Sequence, residues 1–412
     1  MAEEKDRGIL RELARRYAEL AALPVNEERN ARIRRINGLV PDRPVVWINE
    51  IPWHEMDIDG QLILRCEGPE ARKMEWFFRE KLFRWKYFQA DMVLEPAYFV
   101  QKHSHSTSIG VTKDDDILST DAENNIVSHS YKDVLKTEED LEKLTLPLIT
   151  ADREADEKEM NFAIEVLAGI LPAKLRGGGI YWAPWDQISQ LRGVEPILLD
   201  TVLRPEFLRK TIARFTEIGL SQMEQMEALG LYDWNVDSLH CTPPWTDDLP
   251  APDYTTGPAR LKDIWFRGMA QMFNSVSPEM HEMLDVEYMR PLAERCGLTY
   301  YGCCEPLHDR LDMLKKISNL RKVGVSPWAD VRRSAEELGK SYVYARKPNP
   351  AFVAGVVDAP TVRAEIKETV EVCLENGCPY EFVLKDISTV SRKPGNLIEW
   401  NRIVQETIDE YY

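Results

Sequence analysis

The chain has 412 residues, 44% of them hydrophobic and 29% charged, an ordinary composition for a soluble globular protein with a substantial core. Its 52 Lys+Arg against 69 Asp+Glu give a net charge of -17, which argues against a nucleic-acid binder with a phosphate-tracking basic face. No apolar run approaches the ~20 residues needed to span a bilayer. The acidic start, MAEEKDRGILREL, is unlike a secretory signal, so a cytoplasmic location without membrane contact is expected.

Helical spacing of apolar residues predicts a first helix over Arg7 to Ala22 and a second over Asn26 to Arg35. Residues 1–40 thus read as a helical extension, suited to cap the main domain or to make a homodimer contact. Residues 41–412 read as one domain. Its first strand, Pro44 to Asn49, runs into Glu50, Trp53 and His54. A helix (Ala71 to Trp85) and an extended stretch (Met92 to Val100) precede a polar excursion near 101–135, where His103 and His105 stand one residue apart. Thr137 is the expected N-cap of a helix reaching Leu148. Strand and helix then alternate, with strands expected at Gly179 to Trp182, Tyr232 to Val236, Leu298 to Tyr301, Lys322 to Ser326, Tyr342 to Lys347 and Tyr380 to Leu384. A second polar excursion occupies 247–262, and helices are expected from Pro278 to Cys296, the longest of them, from Leu307 to Asn319 and from Ala359 to Asn376. Repeated strand–helix units imply a parallel sheet, and about eight strands on a chain of this length favour a closed (β/α)8 TIM barrel in the α/β class.

A barrel places its chemistry at the C-terminal ends of its strands. The stretch Leu298 to Asp312, LTYYGCCEPLHDRLD, fits that role: a strand, a turn at Gly302, and then Cys303, Cys304, Glu305 and His308. If the pleat continues, Cys303 and Cys304 face opposite ways, with Cys303 on the side of Tyr301 and Glu305. His240 and Cys241 end the expected strand at Tyr232 and should face the Cys303 turn, as structural residues or as metal ligands. Glu50 is a candidate acid, base or further ligand. Arg346 and Lys347 end another strand and suit an anionic part of a substrate or cofactor. Trp53, His54 and Trp182 are candidate pocket walls. The seven cysteines are too few, odd in number and too scattered for a disulfide framework, and Cys66, Cys296 and Cys373 are expected to be small buried hydrophobes.

Four stretches in order resemble the uroporphyrinogen decarboxylase superfamily. They are DRPVVW from Asp42, APWDQISQLRGVEPILLDTVLRPEFLRKTI from Ala183, SPEMHEMLDVEYMRPLAERCGL from Ser277 and VSPWADVRRSAEELGKSYVYARKPNPAFV from Val325. The resemblance implies a (β/α)8 fold and one of two activities. The decarboxylase branch has an arginine-containing motif after its first strand, where this chain has Glu50, and a Gly-His-Gly run after its last, where this chain has Lys385-Asp386-Ile387-Ser388. The cobalamin-dependent methyltransferase branch holds a zinc ion with His-x-Cys after the sixth strand and Cys after the last. Here those places carry Gly302-Cys303-Cys304-Glu305 and Asp386.

The resemblance therefore implies a zinc-dependent methyltransferase with altered ligands drawn from Cys303, Cys304, Asp386, His240 and Cys241. It would exchange a methyl group between a small methylated compound, such as an aryl methyl ether or methylamine, and the corrinoid of a partner protein. Glu50 or Glu305 would handle the proton. The alternatives are a carboxy-lyase that grips its substrate with Arg346 and Lys347, and a non-catalytic tetrapyrrole-binding protein.

Overall fold

The computed structural model of the chain describes residues 4–119 and 127–412, so part of the acidic excursion near 101–135 lies outside the described residues. The strands are β1 (Val45–Ile48), β2 (Tyr98–Gln101), β3 (Ser104–Ser106), β4 (Asp115–Leu118), β5 (Ser128–Tyr131), β6 (Ile149–Ala151), β7 (Ala173–Arg176), β8 (Ile180–Trp182), β9 (Trp265–Gly268), β10 (Leu298–Tyr301), β11 (Leu320–Val325), β12 (Val343–Arg346) and β13 (Tyr380–Leu384). Seven of them form one parallel sheet in the order β1-β13-β12-β11-β10-β9-β8. No helix among the described residues is long and apolar enough to cross a membrane.

The sheet is not closed by backbone pairing, which corrects the expectation of an eight-stranded barrel. Two local events explain the gap between β1 and β8. The segment expected as a strand from Tyr232 makes only one bridge, Tyr232 to Gly178, before it turns. The extended stretch after Met92 contributes β2, which pairs with β7 in a separate two-stranded sheet. The place between β8 and β10 belongs instead to β9, a strand embedded in the sequence IWFRG and not foreseen from its pattern.

Turn 237–245 fills the open side. Asn49 Nδ2 donates to the His240 carbonyl at 3.1 Å, and Cys241 and Trp245 pack with Val45, Trp47, Val343 and Val383. Those strand residues alternate with Val46, Ile48, Tyr344 and Phe382, which meet the helices on the other side. The period of two thus buries both faces of each strand.

The helix Val25–Asn37 closes one end of the enclosed face, with Ile33 and Ile36 against Trp47 and Asn37 Nδ2 donating to the carbonyls of Pro243 and Trp245. The first helix, Glu4–Ala21, packs instead on the helix Pro69–Tyr87 in a second core. Three expected helices come out differently. Thr137 does cap a helix, with Asp140 completing the capping box, but it ends at Leu141. The helix expected after Leu307 is reduced to Leu311–Leu314. The long helix from Pro278 is interrupted by a π-helical turn at Glu282–Val286.

That turn brings His281 and Asp285 to Tyr301 on the outer face of β10. The Tyr301 hydroxyl donates to Asp285 Oδ2 at 2.7 Å and lies 2.7 Å from His281 Nε2. Burial, with Arg310 adding to it, lowers the His281 pKa to about 3, so the ring stays neutral.

The enclosed face contains a buried ion pair. Lys322 Nζ lies 2.9 Å from Glu381 Oε1 and donates to the Thr242 hydroxyl, which in turn donates to Glu381. Removing one partner strands the other charge in a low-dielectric interior. Glu381→Ala is therefore expected to cost about 3–5 kcal/mol. Double replacement with Lys322→Met should recover most of that loss in chemical denaturation.

Candidate active site

The C-terminal ends of β1, β10, β12 and β13 converge on one cluster, joined across the open side by His240. Gly302 sets its geometry. With φ of +101° it turns the chain out of the pleat, and a Cβ there would meet Leu307 Cδ1 at 2.4 Å, so only glycine fits. As a result Cys303 does not share the outward face of Tyr301, and the two thiols do not point apart. Their sulfurs lie 3.6 Å from one another. Glu305 holds the turn from beneath, fully buried, with Oε2 accepting the Cys303 N–H at 2.8 Å.

Lys385 is the centre of the cluster. Its Nζ donates to Cys303 Sγ at 2.9 Å and lies 2.9 Å from Asp386 Oδ2 and 3.6 Å from Glu50 Oε2. Cys304 Sγ donates to Asp386 Oδ2 at 3.1 Å, and the Asp386 N–H donates to Glu50 Oε2 at 2.9 Å. His240 Nε2 is 3.7 Å from Glu50 Oε1, and its ring stacks on Tyr181 at 4.7 Å. Glu50, His240 and Asp386 all adopt positive φ, between 51° and 60°, which is uncommon for residues with side chains. Three such residues around one thiol pair are the pattern expected of a functional site.

The electrostatics follow from these contacts. The neighbouring Cys304 and His240, with the charges of Lys347 and Arg267, hold the Cys303 thiol far below the ordinary range despite its burial. Cys304 is pushed the opposite way by its contact with Cys303, by burial and by its neighbour's negative charge, so the pair shares one proton and Cys304 keeps it. Burial pushes Lys385 down, but Cys241, Cys303, Cys304 and Asp386 together raise it well above a normal lysine. Burial raises Glu50. Asp186, beside the site on the helix Pro184–Arg192, is raised to about 6 by burial and by the charges of Cys303 and Glu305.

The cluster opens into a cavity of about 520 Å³. Cys304, Lys347, Lys385 and Asp386 line it, together with Pro327, Trp328, Pro348 and Pro350.

Of the residues singled out in the sequence, Glu50, His240, Cys303, Cys304, Glu305, Lys347 and Asp386 come together here. Others do not. Arg346 lies on the outer face of β12, bound to Glu365 and the Ser326 carbonyl, because strand alternation sends it away from Lys347. Trp182 packs outward so tightly on Gly219 that a Cβ there would come within 2.0 Å of its ring. Trp53 is locked among Trp76, Phe83 and Phe88, and His54 lies beside Glu55. Cys241 is fully buried in the apolar cluster under the site. His103 and His105 pair with Asp156 and Asp152 far along the chain. Lys385, Arg267 and Asp186 were missed. Lys385 had a signal in the sequence, since it directly precedes the Asp386 that was selected.

The expected zinc does not fit the arrangement as it stands. Among the described residues no three His, Cys, Asp or Glu side chains form a group able to hold a metal ion. The Lys385 ammonium is already in contact with both Cys303 Sγ and Asp386 Oδ2, at 2.9 Å from each.

Neither a protein-family model nor a curated protein matches the chain. Among solved structures, a methyltransferase from Methanosarcina mazei aligns over 93% of this chain and 99% of its own, with 13% identity and a TM-score of 0.49. At that level it assigns no activity here.

A thiolate reacts and a thiol does not. Because Cys303 is ionised well below neutrality, its modification by methyl methanethiosulfonate is expected to be nearly flat from roughly pH 6 to pH 9. In Lys385→Met the rate at Cys303 should fall at low pH and climb by about tenfold per pH unit until the thiol ionises. Mass spectrometry of the Cys303 peptide reads both profiles.

Proposed function

We propose that the chain is a methyltransferase in which the Cys303 thiolate carries the methyl group. The observation behind this reading is the Cys303 sulfur held 2.9 Å from the Lys385 ammonium, with Lys385 and the adjoining Cys304 lining a cavity of small-molecule size. The sequence resemblance to the methyltransferase branch selects methyl among the electrophiles that a thiolate attacks.

In the forward step Cys303 Sγ attacks the methyl carbon of a small methylated compound. The S–C bond forms as the bond from carbon to the donor heteroatom breaks, and the electron pair leaves with that heteroatom. Glu50, raised by burial and placed at the mouth of the cluster, supplies the proton that neutralises the leaving group. Lys385 neutralises the resting thiolate and is left as an isolated ammonium once the sulfur is methylated. That change favours passing the methyl group on and restoring the ion pair. The acceptor is the corrinoid of a separate protein, which supplies a cobalt centre able to take up or return a methyl group. No step is routed through zinc.

The test uses full-length protein, iodomethane as donor and reduced cobalamin as acceptor. Methylation should appear at Cys303, and methylcobalamin should then form at a rate that Cys303→Ser lowers by at least about 100-fold. Cys304→Ser should retain methyl transfer. Failure of Cys303 to be methylated would overturn the reading. So would stoichiometric zinc bound through Cys303 and Cys304 in metal analysis, which would return the site to metal chemistry.

A further inference from the structure

The enclosed face holds four buried cations, and three are accounted for. Lys322 has Glu381, Lys385 has Cys303 and Asp386, and Arg267 donates to the Gly268 carbonyl while lying 4.2 Å from the Tyr300 ring. Lys347 is different. It is 2% exposed, its Nζ donates to the Tyr300 hydroxyl at 3.0 Å, and no carboxylate is paired with it among the described residues. The backbone makes room for this ammonium. A Cβ on Gly324 would stand 2.6 Å from Lys347 Nζ, so the glycine clears the place where the charge lies.

Lys347 also lines the cavity, together with Pro327, Trp328, Pro348 and Pro350. A buried ammonium without an acid partner is costly unless an anion arrives to meet it. The proline and indole surfaces suit a flat apolar body.

We propose that the cavity takes a small aromatic carboxylate, its carboxylate on Lys347 and its ring between Trp328 and the prolines, with a methylated substituent turned to Cys303. This inference rests on the methyl-transfer reading for the reacting end of the molecule only. Arg346, bound to Glu365 on the outer face, takes no part.

Calorimetric titration of the full-length chain with benzoate, against benzyl alcohol, tests it without any methyl transfer. Saturable benzoate binding is expected at least tenfold tighter than that of benzyl alcohol. Lys347→Gln should erase that preference and Lys347→Arg should retain most of it. Should Lys347→Gln fail to fold, benzoate should still slow modification of Cys304 in the unaltered chain while benzyl alcohol does not. No benzoate binding, equal binding of the two probes, or an unchanged preference in folded Lys347→Gln would each overturn the proposal. Cys303→Ser separates the two readings: it should end methyl transfer and leave benzoate binding in place.

Discussion

Charge inside a sheet has to be answered by charge, and this constraint organises the protein's interior. Arg267, Lys322, Lys347 and Lys385 all point into a space that a fully apolar packing would fill with branched aliphatics. Each cation fixes what stands next to it. Glu381 and Thr242 are required by Lys322, and Thr242 draws the turn 237–245 into the gap between β1 and β8. The ionised Cys303 is required by Lys385 as much as the reverse. The open side of the sheet is thus closed by side-chain chemistry where backbone pairing fails.

The same turn explains how a histidine reaches the thiols without belonging to a neighbouring strand. His240 crosses the gap because its carbonyl is held by Asn49 and its ring by Tyr181. Its left-handed backbone, like those of Glu50 and Asp386, is a conformation that the surroundings must impose. All three sit where a strand or turn ends and the chain bends back over the cluster. The local cost is concentrated where positions have to be exact for chemistry and is absent from the regular strands below.

Much of this was legible in the chain. The strand at Tyr380, the helix Ala359–Asn376 and the turn at Gly302 are marked by apolar runs and by glycine, and they appear where those signals put them. β9 was hidden because Arg267 interrupts its apolar pattern, and a buried arginine looks like a surface residue until its ring partner is known. Tyr232 to Val236 misled for the opposite reason: aromatic and β-branched residues suit a strand, but here only Tyr232 makes a bridge, and it packs with Trp234 into the larger core. Cys303 and Cys304 were found by residue type, while their relation depended on one φ angle at Gly302 that no side-chain pattern reveals. Lys385 was passed over because its role exists only through the fold, 82 positions from Cys303.

The outer face of β10 bears on how this site can move. Tyr301 is held by both Asp285 and His281, and the π turn that brings those two together is itself packed into the core. The strand is therefore clamped up to the residue immediately before Gly302. Glu305 clamps the chain just beyond the thiols. Whatever displacement Cys303 undergoes when its sulfur gains a methyl group has to be absorbed between those two fixed points, in rotation about Gly302 and the cysteine side chains. The reactive segment behaves as a short crank on rigid bearings, and its stroke is set by three residues.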